Sequence, residues 1–198
     1  MAIVNGYCTL TEIKARLGVT VSTYDTILEN VVEAVSRQFD AWCKRRFFTT
    51  SNDEDRYYDA NTNQHVRTDD IVSITSLATD ENGDRVYERT WASTDYDLLP
   101  YNAALDSLPY NRIEVSPLGR YRFPLHSKAI KLSGKFGFAT TPDSVNEACL
   151  IQTERIYRRK DSPFGVAGTP EFGQLRLLAR LDPDVEAMLV GYRKILVA

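Results

Sequence analysis

Several short strings in this 198-residue chain contain the side chains that chemistry needs, and their spacing decides what they can do. Ser133-Gly134-Lys135 has the hydroxyl, glycine and lysine of a phosphate loop. A Walker A loop also needs a glycine five residues before the one preceding the lysine, and Ser or Thr after the lysine, so that backbone N–H groups and the ammonium surround the phosphates. Ala129 and Phe136 hold those places, and the string reads as a strand end. Asp80-Glu81-Asn82-Gly83-Asp84 resembles the start of a calcium loop, but its glycine comes fourth and Trp91 stands where a closing bidentate glutamate belongs. A hairpin turn is the simpler reading.

The remaining reactive types are scattered. His65 and His126 lie in different segments, each without a second ligand at metal spacing, so both read as hydrogen-bonded structural histidines. Cys8, Cys43 and Cys149 are odd in number, widely separated and without a CxxC pair; they predict reduced, partly buried thiols, with neither a disulfide frame nor a zinc site. No Ser or Cys sits in a nucleophile elbow. Asp53, Glu54, Asp55, Asp69 and Asp70 form acidic loops that bind cations weakly at most. No catalytic residue, cofactor site or metal site is expected.

Charge is unevenly spread. The formal net charge is −3, but residues 53–106 carry −9, while residues 1–52 sum to +1 and residues 107–198 to +5. An acidic middle argues against that segment gripping a phosphate backbone. The start, MAIVNGYCTLTE, lacks a basic region followed by an apolar core, and no apolar run approaches the length of a membrane span; a soluble protein made in a cytosol is expected. With 43% hydrophobic residues the chain can bury one sizeable core plus a smaller module.

The elements that position these residues are organised around Ser22 to Arg46. Tyr24, Ile27, Leu28, Val31, Val35, Phe39 and Trp42 recur at three- and four-residue steps with no Gly or Pro between them, which predicts one long amphipathic helix of roughly 36 Å. Ser22 suits its N-cap and Lys44, Arg45 and Arg46 its negative end. Glu29, Asn30, Glu33, Arg37, Asp40 and Lys44 form the opposite, polar face. Before it, Thr9-Leu10-Thr11-Glu12 fits a capping box opening a short helix that ends at Gly18, with Leu10, Ile13 and Leu17 inward. The pair also resembles a helix-turn-helix, a DNA-binding alternative. Its second helix begins with Tyr24, Asp25 and Glu29, however, where base and phosphate contacts need amides and cations.

After Arg46 the periodicity changes to two: RYYDA, HVRTDDIVSITSLATD, RVYERTW, TDYDLL, RIEVSP and AIKLSGKFGFAT predict an antiparallel sheet of five to seven strands. Asn82-Gly83 suggests a two-residue turn between Ser76–Thr79 and Arg85–Tyr87. Thr141-Pro142-Asp143 then restarts a helix, with Thr141 as N-cap and Val145, Ala148, Cys149, Gln152 and Ile156 inward. DSPFGVAGTPEFGQ is a turn-rich linker, and Asp182-Pro183-Asp184 opens a last helix running to Val197 with Val185, Leu189, Tyr192 and Leu196 on one side. The fold class expected is α+β: a helical bundle from residues 1–48 and 141–163 built on the long helix, an antiparallel β insertion from 49–140, and a linker with C-terminal helix from 164–198.

The order of these parts resembles the head-tail connector, or adaptor, proteins of tailed bacteriophages and phage-like particles. The likeness is carried by the long helix ending WCKRRF, the passage IKLSGKFGFATTPDSVNEACLIQTERIYRRKDSPFG and the closing LDPDVEAMLVGYRK. The resemblance implies a non-enzymatic virion protein, made in the bacterial host cytoplasm and placed at the neck. It would dock beneath the portal as a homo-oligomeric ring, commonly twelvefold, extend the DNA channel without sequence-specific DNA binding, and receive a stopper or tail-completion protein. On that view Phe172, Leu175, Leu177, Leu178, Val185, Leu189 and Tyr192 are candidates for portal binding, unless they fold onto the subunit's own core. Glu29, Glu33 and Asp40 are candidates for the channel surface, where acidic groups repel transiting DNA. Another neck component, a stopper or tail-completion protein, is the second alternative.

Overall fold

The computed structural model describes residues 3–159, 166–167, 175–176 and 181–194. The chain is α+β and divides into two compact units, residues 1–45 with 141–198, and residues 46–140. The first contains the described helices α1 (Leu10–Leu17), α2 (Asp25–Cys43), α3 (Asp143–Arg158) and α4 (Pro183–Leu189). The second contains six strands: β1 (Glu54–Tyr58), β2 (His65–Thr79), β3 (Arg89–Trp91), β4 (Tyr96–Leu99), β5 (Tyr110–Val115) and β6 (Ile130–Phe136). A short ladder of β7 (Val166–Ala167) and β8 (Leu175–Arg176) belongs to the first unit.

Helix α1 starts as its sequence predicts. Thr9 Oγ1 accepts the Glu12 N–H at 3.2 Å, the Glu12 carboxylate accepts the Thr9 N–H at 2.7 Å, and Gly18 closes the helix at φ +67°. The run expected as one helix from Ser22 to Arg46 is shorter. Ser22–Tyr24 is a single 3-10 turn, α2 spans 19 residues from Asp25, and Lys44 takes a left-handed conformation at φ 57° that stops it. Ser22 therefore does not cap α2, whose N-cap position is Tyr24 without a side-chain bond. The buried stripe of α2 is Leu28, Val32, Val35, Ser36, Phe39 and Cys43, rotated from the expected one: Ile27 is 48% exposed, and Val32 and Cys43 take the interior places assigned to Val31 and Trp42. Apolar residues occur on two adjacent flanks of this helix, and only its neighbours determine which flank is covered.

Helix α3 lies against α1, α2 and α4. Its N-cap is Pro142, not Thr141: the Pro142 carbonyl accepts the N–H groups of Val145 and Asn146 at 2.9 and 3.0 Å. Val145, Ala148, Cys149 and Gln152 are buried as expected, whereas Tyr157 rather than Ile156 completes the inward face. The last helix is also shorter than expected, with a 3-10 turn at Val190–Tyr192 after Leu189; Leu196 and Val197 lie outside the described residues.

The six-stranded sheet is antiparallel, in the order β1-β6-β2-β5-β4, with β3 on the free half of β2. The 15-residue β2 is its spine: its first half pairs with β5 and its second half with β6 and β3. Alternation in β6 is complete, with Ile130, Leu132, Gly134 and Phe136 buried between half-buried polar residues. The core includes Val66, Leu77, Trp91, Ile113, Phe123 and Leu132. Trp91 stacks on Phe123 with ring centroids 4.6 Å apart, and its indole N–H donates to Thr79 Oγ1 at 3.0 Å.

The expected tight hairpin at Asn82-Gly83 is replaced by a nine-residue loop, because β2 pairs with Arg89–Trp91 and not with Arg85–Tyr87. The Asp80 carboxylate holds this loop by accepting the N–H groups of Asn82, Gly83 and Arg85 at 3.1, 2.7 and 2.9 Å.

The glycines of the Gly134-Lys-Phe-Gly137 strand end are required by close backbone approach. A Cβ at Gly134 would stand 2.2 Å from the Ser73 carbonyl oxygen, and one at Gly137, where φ is +109°, would stand 1.9 Å from that of Phe48. Gly137→Ala is expected to destabilise the β unit by at least about 1–3 kcal/mol, from strain in a conformation that L side chains rarely adopt. Urea denaturation followed by tryptophan fluorescence in a Trp42→Phe background, where Trp91 is the remaining reporter, checks this.

Candidate functional site

The proposed channel-facing residues Glu29, Glu33 and Asp40 lie on α2. Glu33 Oε1 accepts the backbone N–H groups of Val4 and Asn5 at 2.6 and 3.1 Å. Asp40 accepts the Tyr7 hydroxyl and pairs with Arg37 at 3.0 Å. Arg37 also donates to the Asn5 carbonyl at 2.8 Å, and Ser36 Oγ accepts the Tyr7 N–H at 3.0 Å while bonding back to the Val32 carbonyl. The polar side of α2 therefore fastens residues 4–7 along about two turns of helix. Glu29 is half-buried on the same helix.

The proposed portal-binding residues separate into two groups. Val185 and Leu189 are wholly buried on α4. Tyr192 is half-buried, with its hydroxyl 3.0 Å from Ser144 Oγ. Around them the chain is pinned at several points: Arg155 pairs with Asp182 at 2.7 Å, the Asp182 N–H donates to Gln152 Oε1 at 3.3 Å, Lys194 N–H donates to the Cys43 carbonyl at 2.9 Å, and the Arg193 guanidinium lies 5.1 Å from the Trp42 ring centroid. Within this chain, α4 thus belongs to the helical core. Phe172, Leu177 and Leu178 lie outside the described residues, and Leu175 is described only as part of the β7–β8 ladder.

The chemical strings of the sequence resolve into structural roles. Asp80, Asp84 and Glu88 bring carboxylate oxygens within 4.8 Å of one another, a grouping capable of meeting a cation. Asp80 is fully buried in the loop. Burial acts to raise its pKa, but the N–H groups of Gly83, Arg85 and Asn82 outweigh that and hold it below the usual carboxylate range. Asp84 accepts the Val86 N–H and the Asn82 side-chain amide. His126 is 2.9 Å from the Asp80 carbonyl oxygen and His65 is 2.9 Å from Thr62 Oγ1. Of the acidic loop residues, Glu54 and Asp69 pair with Arg56 at 2.7 and 2.9 Å, and Asp55 pairs with Lys131 at 2.9 Å. The Lys131 ammonium, with the Ser133 hydroxyl, holds the Asp55 carboxyl below its ordinary range. Ser22–Tyr24, the start of the alternative recognition helix, is the 3-10 turn, and Asp25 behind it pairs with Lys14 at 2.6 Å. None of the helices among the described residues is long and apolar enough to cross a membrane.

The fold itself has known counterparts. No protein-family model matches the chain, and no curated protein matches it. Solved structures match over the whole of it, among them the following two. One is a chain from the neck of an empty gene transfer agent particle computed with C6 symmetry, at 16% identity and a TM-score of 0.59. The other is a chain from the virion of a native gene transfer agent particle, at 17% identity and a TM-score of 0.58. Each alignment covers 100% of this chain and 95% of its counterpart. The shared fold therefore takes in both units.

Sequence reading missed one feature that the fold assembles: the N-terminal segment, α2 and α3 converge on Cys8, Ser36 and Cys149. These positions are far apart in the chain, and no local spacing signals their meeting.

Two predictions follow from the helical unit. Leu189→Ala should cost about 2–5 kcal/mol, by lost burial and an unfilled cavity, and should lower the urea midpoint without changing the slope. Acid should also weaken this unit through Glu154. Hydrogen bonds from Arg16, at 2.8 Å, and from Arg158 hold its carboxyl below the ordinary 4.5. A depressed folded-state pKa stabilises fully above 4.5 and loses that contribution as pH falls through the folded value. Arg16→Met should therefore cost below about 1 kcal/mol at neutral pH, given the partial exposure of the pair, and flatten the stability loss below pH 4.5 in pH-dependent urea melts.

Proposed function

We propose that this chain is a structural component of the neck of a phage-like particle, an adaptor that docks as a ring beneath the portal, lengthens the DNA channel and presents a surface to a stopper or tail-completion protein. The observation that carries this reading is the full-length fold similarity, across both units, to chains of gene transfer agent particles, one of them from a neck. The sixfold symmetry of that neck is compatible with six or twelve copies in a ring, because a twelvefold ring contains a sixfold axis. A ring subunit must pair two different faces around a closed circle. Two rigid units, each with its own buried core, suit a protein that acts by shape and leaves bond-making to others.

The portal grip is assigned to Phe172, Leu177 and Leu178, with Leu175 beside them, since Val185 and Leu189 are consumed by the core of the chain itself. The channel role is assigned to the polar side of α2 that carries Glu29, Glu33 and Asp40, of which Glu33 and Asp40 also hold the N-terminal segment.

Pull-down with purified portal tests the proposal. The full chain should be retained, and a Phe172→Ser, Leu177→Ser, Leu178→Ser variant should lose retention by at least tenfold while keeping its circular dichroism spectrum. Absence of wild-type binding to portal, with binding to a neck assembly already carrying an adaptor, would assign the chain to the stopper position instead.

A further inference from the structure

We propose that Cys8 and Cys149 are a latent dithiol, a modification site at which a small-molecule disulfide forms an intrachain bond that bolts the N-terminal segment to α3. The two sulfurs lie 3.3 Å apart, in van der Waals contact, in a chain whose three cysteines are all free. A disulfide needs about 2.05 Å between sulfurs, so little more than an ångström of travel separates contact from bond. This inference is independent of the assembly reading above.

The site is built from three segments. Cys149 sits in the middle of α3, with Ser36 Oγ of α2 at 3.8 Å and Thr153 Oγ1 at 3.9 Å. Cys8 lies in the irregular segment before α1, next to Tyr7, whose carbonyl accepts the Asn146 side-chain N–H at 2.9 Å. Cys8 donates its thiol hydrogen to Cys149, and that hydrogen bond, opposed by burial and helped by the hydroxyls of Ser36 and Thr153, draws the Cys149 thiol below its ordinary pKa. The two hydroxyls stay in place when Cys8 is modified.

Both thiols are buried, at 3% and 0% exposure, so access requires a local opening. The segment that must open is residues 3–9, which has no helix or strand; it is held by side-chain hydrogen bonds to α2 and by the buried Tyr7 ring, so the thiols react only as often as this segment opens. In the opened state the Cys8 thiolate attacks one sulfur of the small disulfide and expels a thiolate, leaving a mixed disulfide. On closing, the Cys149 thiolate attacks the Cys8 sulfur and expels the second thiolate. The two protein protons end on the two small thiols; the dithiol is oxidised by two electrons and the small disulfide is reduced by two. Cys43 stands apart. Its sulfur faces the Leu189 carbonyl at 4.0 Å, and burial pushes its thiol up to about 11, so it serves as an internal control.

The test uses the reduced full-length chain in oxidised glutathione, quenched by alkylation and read by intact mass and peptide mapping. The expected result is the loss of two hydrogen masses, one alkylatable thiol in place of three, a single Cys8–Cys149 peptide and a rise in Tm of about 5–15 °C that dithiothreitol reverses. Cys8→Ser and Cys149→Ser should each abolish the cross-link while retaining the circular dichroism spectrum. Stable glutathione adducts without the cross-link, a cross-link that includes Cys43, a cross-link persisting in either serine variant, or three thiols retained until the protein unfolds would each overturn the proposal.

Discussion

The helical unit depends on helix α2 being covered on two sides at once. Its apolar stripe, Leu28, Val32, Val35, Phe39 and Cys43, is fully removed from water, and its polar flank holds the start of the chain through Glu33, Ser36, Arg37 and Asp40. Burial of five such side chains is the main favourable term, on the order of 1.5–3 kcal/mol for each large one. The hydrogen bonds from Val4, Asn5 and Tyr7 satisfy backbone groups that have no ladder to join. Ser36 joins the two functions: it sits within the buried stripe, bonds back to Val32, and accepts from Tyr7. A buried hydroxyl at that place is tolerated because its hydrogen-bonding capacity is used.

The β unit is held by a different constraint, close backbone approach. Gly134 and Gly137 allow β6 to pass within contact of the Ser73 and Phe48 carbonyls, and neither position can carry a Cβ without displacement. This explains the strand-end motif that makes the passage recognisable in sequence. The acidity of residues 53–106 is partly neutralised locally, by Arg56 and Lys131 on neighbouring strands and by backbone N–H groups at Asp80. Much of the formal −9 is therefore engaged in fixing loops and strands, and less of it acts as a free field.

For the assembly reading, the closed core of the helical unit has a direct consequence. An apolar residue at helical spacing near the end of a chain can serve the subunit or a partner, and Val185 and Leu189 serve the subunit. Among the described residues, apolar side chains that remain exposed include Leu105 and Leu118, 85% and 90% accessible.

Local chemistry was legible in the sequence: the α1 capping box, the change from helical to strand periodicity after Arg46, the return to helix after Pro142, and the failure of the phosphate-loop string all follow from residues close in the chain. Three things were decided only by tertiary structure. The covered flank of α2 depends on the N-terminal segment and α3, which lie far away in sequence; the partner of β2's end depends on register, so Arg89–Trp91 displaced Arg85–Tyr87. Cys8 and Cys149, 141 residues apart, meet only because α3 packs beside α1 and α2. Periodicity states that a face is apolar, but the identity of what covers it is a long-range property, because burial is a relation between segments and not a property of one.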